Sequence, residues 1–240
     1  MQRCFYRGDI VGDIVELSEE ESYHLCVVTR TRIGETVAVL NGDGTTASGK
    51  LTAATKKHAT IKIEKITKRN KPTRSFTLIQ AVLKNMNSDY VVREATAIGV
   101  TAVIFCGTQN AECKLKDKVC CKLKRWEIIA VEACKQSGNP FLPKISYCEN
   151  LREICTENFD AKFFGGLGEN SKPLRLAVAQ SRTAANICMA IGPEGDFSGE
   201  EYDYLRQNNF VECRICRNVL RSETAAICAL SVLEHLAIDG

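Results

Sequence analysis

Two loops near the C-terminal end of the 240-residue chain combine glycine, charged and apolar residues in a way that suits a small-molecule site. The first, residues 191–198, has the sequence Ile-Gly-Pro-Glu-Gly-Asp-Phe-Ser. Glycine at Gly192 and Gly195 lets the backbone approach a ligand, because no Cβ stands in the way. The segment contains neither G-x-G-x-x-G nor Gly-Lys-Ser/Thr, so it is not a phosphate loop. It is either a ligand-contacting loop or an ordinary tight turn between a strand and a helix.

The second loop, residues 215–225, carries Arg221 and Glu223 among apolar side chains. Apolar residues in a loop indicate a lined pocket. An arginine and a glutamate at its mouth offer a polar partner one hydrogen-bond donor and one acceptor. The alternative is an ion pair between these two residues that caps the following helix.

Alternating strands and helices after residue 72 are predicted to position both loops. The predicted strands are 75–82, 102–105, 161–164, 186–191 and 210–214, and the predicted helices are 87–98, 122–136, 198–208 and 222–238. This order indicates βαβ units around a parallel sheet, whose ligand site lies at the carboxyl ends of the strands. The functional loops should therefore be those that follow Phe164, Ile191 and Arg214.

The first seventy residues form a different, β-rich module. Strands are predicted at 37–40, 45–51 and 59–66, with a tight turn at 41–44, and a helix is predicted to start at a Ser18/Glu21 capping box and to end near residue 29. The polar, proline-containing segment 68–72 is the best linker candidate. We therefore predict one domain over 1–70 and a second over 73–240.

Composition and charge narrow the class of protein. With 45% hydrophobic and 25% charged residues, the chain is an ordinary globular one. The net charge is only +3, but residues 50–74 carry nine lysine or arginine residues against Glu64 alone. Such a stretch attracts a phosphate backbone, because neutralised phosphates release counterions. The alternative is a solvated strand face followed by a charged linker.

Targeting and cysteine usage point to the cytoplasm. The chain has no apolar run long enough for a membrane span and no secretory signal at its start. Its 13 cysteines are an odd number without a regular framework, so we expect reduced thiols. One C-x-x-C pair, Cys213 with Cys216, and three isolated histidines do not make up a structural zinc site, and no metal is expected.

The two loops together identify a family. The segment IGPEGDFSGEE followed by NVLRSETAA resembles the RsmE family of 16S ribosomal RNA uridine-N3 methyltransferases, of the SPOUT class. The resemblance covers the whole chain, including MQRCFYRGD, YHLCVVTRTRIGE, LNGDG, LKNMNSDYVVREATAIGV and KRWEIIAVEACKQSG. It implies an α/β fold, with a C-terminal trefoil-knotted SPOUT methyltransferase domain and a small N-terminal PUA-like β-barrel. It further implies S-adenosylmethionine as cofactor, 16S ribosomal RNA or the small ribosomal subunit as partner, and a homodimer.

The resemblance also implies roles for individual residues. Uridine N3 carries a proton, so the site must supply a base or stabilise the developing anion with a cation such as Arg221. The residues expected to be catalytic are Arg221 and Glu223. The residues expected to bind the cofactor are Phe164, Gly165, Ile191, Gly192, Gly195, Ile215, Val219 and Leu220. The residues expected to contact RNA are Arg3, Arg7, Arg30, Lys84 and Glu194.

The chain departs from the family pattern at several positions. Asp196 replaces a second glycine after Gly-Pro-Glu-Gly, and Asn139 replaces an arginine. Residues 109–111 and 215–218 also lack arginines that the family has, and residues 215–218 lack a glycine as well. Two alternatives therefore stay open. One is a non-catalytic RNA-binding protein on the same fold, and the other is an α/β nucleotide-binding enzyme with a β-rich appendage.

Overall fold

Two β-sheets organise the chain, and each belongs to its own compact unit. The structure is a computed structural model, which describes residues 1–169, 171–181 and 183–238. The first unit consists of Met1–Lys71 together with Val131–Leu142. The second consists of Pro72–Ala130 and the described residues from Pro143 onward. The predicted N-terminal module did not include the second segment of the first unit.

The first unit is built on five strands and one helix. In chain order these are β1 (Gln2–Phe5), β2 (Ile14–Glu16), α1 (Glu19–Tyr23), β3 (Thr36–Leu40), β4 (Thr45–Ala54) and β5 (Ala59–Lys68). The sheet order is β1-β3-β4-β5-β2, with β1 parallel to β3 and the other pairs antiparallel. Alternating side chains of the long hairpin β4–β5 and of β3 fill the core of the unit, which includes Val37, Val39, Leu51 and Ile61.

The predicted N-terminal helix is α-helical in its first half and π-helical in its second half. After Tyr23 it continues as a π-helical stretch, His24–Val28, so it ends close to the predicted position. Ser18 accepts a hydrogen bond from the Glu21 amide at 3.3 Å, as the capping box predicts. The Glu21 carboxylate does not complete the box: it accepts hydrogen bonds from the Phe5 amide at 3.1 Å and from Lys135 Nζ at 2.8 Å.

Glu21 takes part in a buried ion pair inside the first unit. Lys135 is 5% exposed and pairs with Glu21 and, at 2.6 Å, with Glu132. Burial lowers the pKa of Lys135, but hydrogen bonds and charge interactions with the two glutamates outweigh burial and raise it above the ordinary lysine value. The lysine is therefore charged at neutral pH and ties the end of its helix to α1 and β1.

The second unit is a parallel α/β layer structure. Its elements are β6 (Ser75–Ala81), α2 (Asn87–Ile98), β7 (Ala102–Cys106), α3 (Val119–Ser137), β8 (Lys144–Cys148), β9 (Ala161–Gly165), β10 (Lys172–Pro173), α4 (Leu174–Ala179), β11 (Asn186–Ile191), α5 (Gly199–Gln207), β12 (Val211–Arg214) and α6 (Ser222–Ile238). The last turns of α3 belong to the first unit. The strand order is β10-β12-β9-β11-β6-β7-β8, and every pair is parallel.

The predicted α/β class and parallel sheet are confirmed, and the predicted strands and helices of this unit lie within three residues of the observed ends. Local signals explain this agreement. Gly99 ends α2 in the left-handed region at φ 110°, and Ser198 with Glu201 forms both hydrogen bonds of a capping box at the start of α5. The short strands β1, β2, β8 and β10 and the helix α4 were not predicted.

Two further observations bear on the sequence expectations. None of the helices in the described ranges combines the length and the uninterrupted apolar character that crossing a bilayer requires. The cysteines are free thiols, and burial is the main cause that raises the pKa of Cys4 and of Cys188 to about 12. These buried thiols are therefore unreactive at neutral pH.

Candidate active site

The loops that follow β9, β11 and β12 meet around one cavity of about 560 Å³. Lys84 and Asn87, which follow β6, complete its lining. All four strands end on the same side of the parallel sheet, so their loops converge where the strand order predicts a ligand site. The cavity lies wholly within the second unit.

Most of the residues predicted to bind a cofactor line this cavity. They are Gly165, Ile191, Gly192, Ile215, Val219 and Leu220. Phe164 and Gly195 are not part of the lining. Phe164 is fully buried in the core between the sheet and α5, and a Cβ on Gly195 would lie 3.2 Å from the carbonyl oxygen of Asn110.

Gly165 is the glycine whose missing side chain shapes the apolar end of the cavity. A Cβ there would lie 3.1 Å from Cδ1 of Ile191 and 3.3 Å from Cδ1 of Ile215. These distances are shorter than ordinary carbon–carbon contacts, so a side chain would push into both isoleucines. The bare backbone therefore lets both isoleucine side chains pack directly against it at the apolar end of the cavity.

Arg221 and Glu223 lie at the polar end of the cavity. Arg221 is exposed, and within the described parts of the chain no carboxylate lies within ion-pair distance of its guanidinium. Oε2 of Glu223 is buried and has no hydrogen-bond partner among the described residues. The alternative of an ion pair between these two residues is not what the structure shows. The Arg221 guanidinium is therefore accessible to a ligand, whereas Oε2 of Glu223 is enclosed by the protein.

A buried hydrogen-bond chain holds the start of α6 against the neighbouring strands. Gln80, at the end of β6, donates from Nε2 to the Ser222 hydroxyl at 3.0 Å, and this hydroxyl donates to the Gly192 carbonyl. Gln80 is fully buried and Ser222 nearly so. These hydrogen bonds fix the positions of Arg221 and Glu223 relative to the loop after β11, because both residues are direct neighbours of Ser222 in the sequence.

Asp196 shapes the loop after β11 although it stands where the family has glycine. Its backbone is in the left-handed region at φ 60°. Its carboxylate accepts hydrogen bonds from the Phe197 amide at 2.8 Å and from the Tyr202 hydroxyl at 2.9 Å. Burial, followed by the Asp196 charge, raises the pKa of Tyr202. Asn110 donates to the carbonyls of Gly195 and Asp196, so a residue in a segment that lacks a family arginine supports the loop.

We predict that alanine at position 196 is worse tolerated than glycine. Both substitutions remove the carboxylate hydrogen bonds, but only Asp196→Ala keeps a Cβ in the left-handed region, which costs about 1 to 2 kcal/mol. Asp196→Gly should therefore unfold at a higher denaturant concentration than Asp196→Ala. Equal midpoints for the two variants would show that the positive φ carries no cost.

The residues predicted to contact RNA lie in varied surroundings. Arg3 donates to the carbonyls of Lys135 and Gln136 at 3.0 and 2.9 Å, so it caps the end of α3. Arg30 is exposed, with φ 54°. The guanidinium carbon of Arg7 lies 5.9 Å from the centroid of the Phe5 ring. Nζ of Lys84 lies 3.2 Å from the Glu112 carboxylate. Glu194 accepts a hydrogen bond from the Lys84 amide at 3.2 Å.

The lysines of the basic stretch between residues 50 and 68 are exposed along the hairpin β4–β5. Lys50 lies directly opposite Lys62, and a register shift after Ser48 places Lys65 opposite Ser48. Ser48 and Lys50 are two residues apart and share a sheet face, so Lys62 and Lys65 lie on that same face. Like charges that face each other across strands repel, and an anion bound there would relieve the repulsion.

Several residues that shape the site were not predicted. They are Gln80, Tyr202 and Ser222. The sequence did contain one signal that could have revealed Gln80: it is a polar residue in the otherwise apolar end of its strand. A polar side chain is costly to bury unless it has a hydrogen-bond partner, so a partner for Gln80 could have been expected. Among the described residues, no group of three or more histidine, cysteine, aspartate or glutamate side chains is arranged to hold a metal.

Comparison with known proteins agrees with this geometry. A family described as the RNA methyltransferase domain matches residues 69–234, and one described as the RNA methyltransferase PUA domain matches 17–64. A Mesomycoplasma hyopneumoniae protein named ribosomal RNA small subunit methyltransferase E is 30% identical over 70% of this chain and 73% of its own length. A protein of the same name from Buchnera aphidicola is 26% identical over 99% of this chain and 94% of its own length.

Solved structures share the whole fold. A Legionella pneumophila protein assigned as a methyltransferase, in complex with bound SAM (S-adenosylmethionine), superposes with a TM-score of 0.87 at 28% identity. The match covers 97% of this chain and 96% of that one. The resemblance drawn from the two loop motifs is confirmed. The chain belongs to the RNA methyltransferase family, among the proteins named ribosomal RNA small subunit methyltransferase E.

Proposed function

We propose that the protein transfers the methyl group of S-adenosylmethionine to N3 of a uridine in the 16S RNA of the small ribosomal subunit. The observation that carries the proposal is the cavity at the ends of four parallel strands, which is apolar at Gly165 and polar at Arg221 and Glu223. The names of the relatives and the SAM bound to the Legionella protein support the same substrate and cofactor.

The cavity residues fit this cofactor. Gly165, Ile191 and Ile215 line one end of the cavity, and apolar walls of this kind suit an adenine ring. The isoleucines and Leu220 would hold the base, and Gly192 would let the backbone come close to it. When bound, S-adenosylmethionine supplies an electrophilic methyl group, which needs no metal but needs an aligned nucleophile.

Arg221 and Glu223 would act on the uracil ring. N3 is a poor nucleophile until its proton leaves, and the ring then carries negative charge on its oxygens. The exposed guanidinium of Arg221 can donate hydrogen bonds to such an oxygen, and this interaction strengthens as the charge develops. Glu223 lines the same end of the cavity, and its carboxylate would be the acceptor there; its buried Oε2 has no hydrogen-bond partner among the described residues.

The finer architecture belongs to the same proposal. Residues 1–70 would form the PUA-like β-barrel, and 73–240 the SPOUT domain with its trefoil knot. The matched PUA family and the five-stranded sheet support the first assignment. A substrate in the small subunit would place the protein in the cytoplasm.

The composition of α6 supports a homodimer. Most residues of the helix are apolar, but its exposed stripe consists of Thr224, Cys228, Ser231 and His235. Beside this stripe, Ile227 and Val232 are only half-buried. A second copy of the chain would cover these side chains.

Two measurements test the proposed function. Calorimetry with S-adenosylmethionine should show one site per chain. Purified protein with small subunits from cells that lack this enzyme should produce 3-methyluridine, detected by mass spectrometry of the RNA nucleosides. Cofactor binding without methyl transfer would favour a non-catalytic RNA-binding protein. Absence of cofactor binding would overturn the proposal.

We further predict that RNA affinity depends on the lysine face of the hairpin β4–β5. The double variant Lys62→Glu/Lys65→Glu should weaken RNA binding and flatten its salt dependence, by about 0.7 to 0.9 in log–log slope for each phosphate that is no longer neutralised. The matched control is Lys124→Glu/Lys144→Glu, which makes the same charge change at exposed positions in the second unit. Equal slopes for the two double variants would mean that this face touches only solvent.

A further inference from the structure

The glycine-rich segment that follows β9 packs, at Gly166, Gly168 and Ser171, against the side chain of Glu212. Oε1 of this glutamate accepts hydrogen bonds from the Gly168 amide at 2.9 Å and from the Ser171 hydroxyl at 2.8 Å. A Cβ on Gly166 or on Gly168 would lie 2.5 Å from atoms of the Glu212 side chain. Both glycines are therefore needed for the backbone to come so close to the carboxylate.

The second carboxylate oxygen of Glu212 is held from α5. Arg206 donates to Oε2 at 2.9 Å, and its guanidinium lies 5.2 Å from the centroid of the Tyr202 ring. Tyr202 in turn donates to Asp196 in the loop after β11. One helix therefore anchors two of the loops that line the cavity.

The negative charge of Glu212 strengthens the hydrogen bonds that this residue accepts. The side chain of Glu212 is only 12% exposed, and burial alone would raise its pKa. Hydrogen bonds from Arg206, Ser171 and the Gly168 amide outweigh burial and lower the pKa. Hydrogen bonds to a charged group are roughly twice as strong as those between neutral groups.

The anchored segment forms one wall of the cavity. Gly165, Gly166 and Leu167 belong to the lining, whereas Glu212 itself does not. Without the carboxylate, the Gly168 amide and the Ser171 hydroxyl would lose this partner. The wall would then have to be ordered each time a ligand binds, and this cost would appear as weaker affinity.

We infer that Glu212 is a positioning residue that sets the affinity for S-adenosylmethionine by holding the wall formed by residues 165–167. This inference rests on the proposed function. Glu212 touches no reacting atom, so it should act on cofactor binding and leave the chemical step alone.

The test compares Glu212→Ala with Asp203→Ala in the full chain. Asp203 pairs with the same Arg206 at 3.6 Å but is not hydrogen-bonded to the described residues of the segment after β9, so it is the matched control. We expect Glu212→Ala to raise the Kd for S-adenosylmethionine about tenfold or more, since tenfold corresponds to about 1.4 kcal/mol. The Kd of Asp203→Ala should stay within about twofold of the wild-type value, because an exposed ion pair contributes little.

Kinetics separate positioning from general damage to the fold. At saturating cofactor, Glu212→Ala should keep a kcat near the wild-type value while its KM for the cofactor rises. If Glu212→Ala does not fold, Ser171→Ala removes one of the two hydrogen bonds without changing charge and should raise the Kd severalfold.

The outcomes are distinguishable from a failure of the proposed function. Wild-type protein that does not bind S-adenosylmethionine overturns the proposed function itself. Wild-type protein that binds, with an unchanged Kd in the folded Glu212→Ala or Ser171→Ala variant, overturns only the positioning role.

Discussion

Replacing Arg221 with alanine is expected to slow methyl transfer by about a hundredfold to a thousandfold, or about 2.7 to 4 kcal/mol, with little change in cofactor affinity. The guanidinium lines the cavity and has no carboxylate partner in the described parts of the chain, so its charge would be available to a ligand. In the proposed role, its hydrogen bond to the uracil ring would strengthen only as the ring becomes anionic, so the loss should fall on turnover. Single-turnover rates with small subunits, alongside calorimetry with the cofactor, measure both quantities.

Two comparisons sharpen the test of Arg221. Arg221→Lys should recover only part of the rate, because an ammonium group lacks the planar fork of donors. The melting temperature of Arg221→Ala should stay near the wild-type value, since within the described residues the side chain makes no ion pair that its removal could break. A lower melting temperature with normal turnover of the folded fraction would instead assign Arg221 to helix capping.

Lys135→Met should cost about 3 to 5 kcal/mol of unfolding free energy. Lys135 is buried and pairs with Glu21, whose carboxylate would be left in the core of the first unit with the Phe5 amide as its remaining donor. An unpaired buried charge is far more costly than a missing surface pair. Denaturant unfolding of the full chain, followed by circular dichroism, measures the loss.

The control for Lys135 is its other partner. Glu132 is 52% exposed in its side chain, so Glu132→Gln should cost less than about 1 kcal/mol. The double variant Glu21→Gln/Lys135→Met should regain much of the stability, because neither charge is then left unpaired. A single variant no less stable than the double one would contradict the account.

The pH dependence follows from the direction of the Lys135 shift. Its pKa in the folded chain is above the ordinary value. The contribution of the pair is therefore fully present below the ordinary lysine pKa and is lost as pH rises through the folded value. Wild-type protein should lose more stability than the double variant at strongly alkaline pH.

Local signals in the sequence predicted much of the second unit. The Gly99 helix end and the Ser198/Glu201 capping box depend on residues within one helical turn, so they can be found without tertiary information. The location of the cavity followed from strand order alone, because parallel strands end on one side of their sheet.

Long-range partners could not be predicted in this way. Arg3 is an N-terminal cation in the sequence, and nothing local indicates that it donates to carbonyls at the end of α3. Glu212 stands in a short strand and looks like a solvated residue, until the glycines that lie against it are known. Helical periodicity in the sequence predicted α3, but periodicity does not indicate which of the two units each turn of the helix belongs to.

The division of α3 between the units affects how the protein is made. The first unit is completed only by residues Val131–Leu142, and 71 residues separate Lys71 from Leu142 along the chain. At about 5 to 20 residues per second, a translating ribosome needs about 4 to 14 s to add them. During this interval Lys135 is absent, so the nascent N-terminal module cannot form its buried ion pair with Glu21 before Pro72–Ala130 of the second unit has been synthesised.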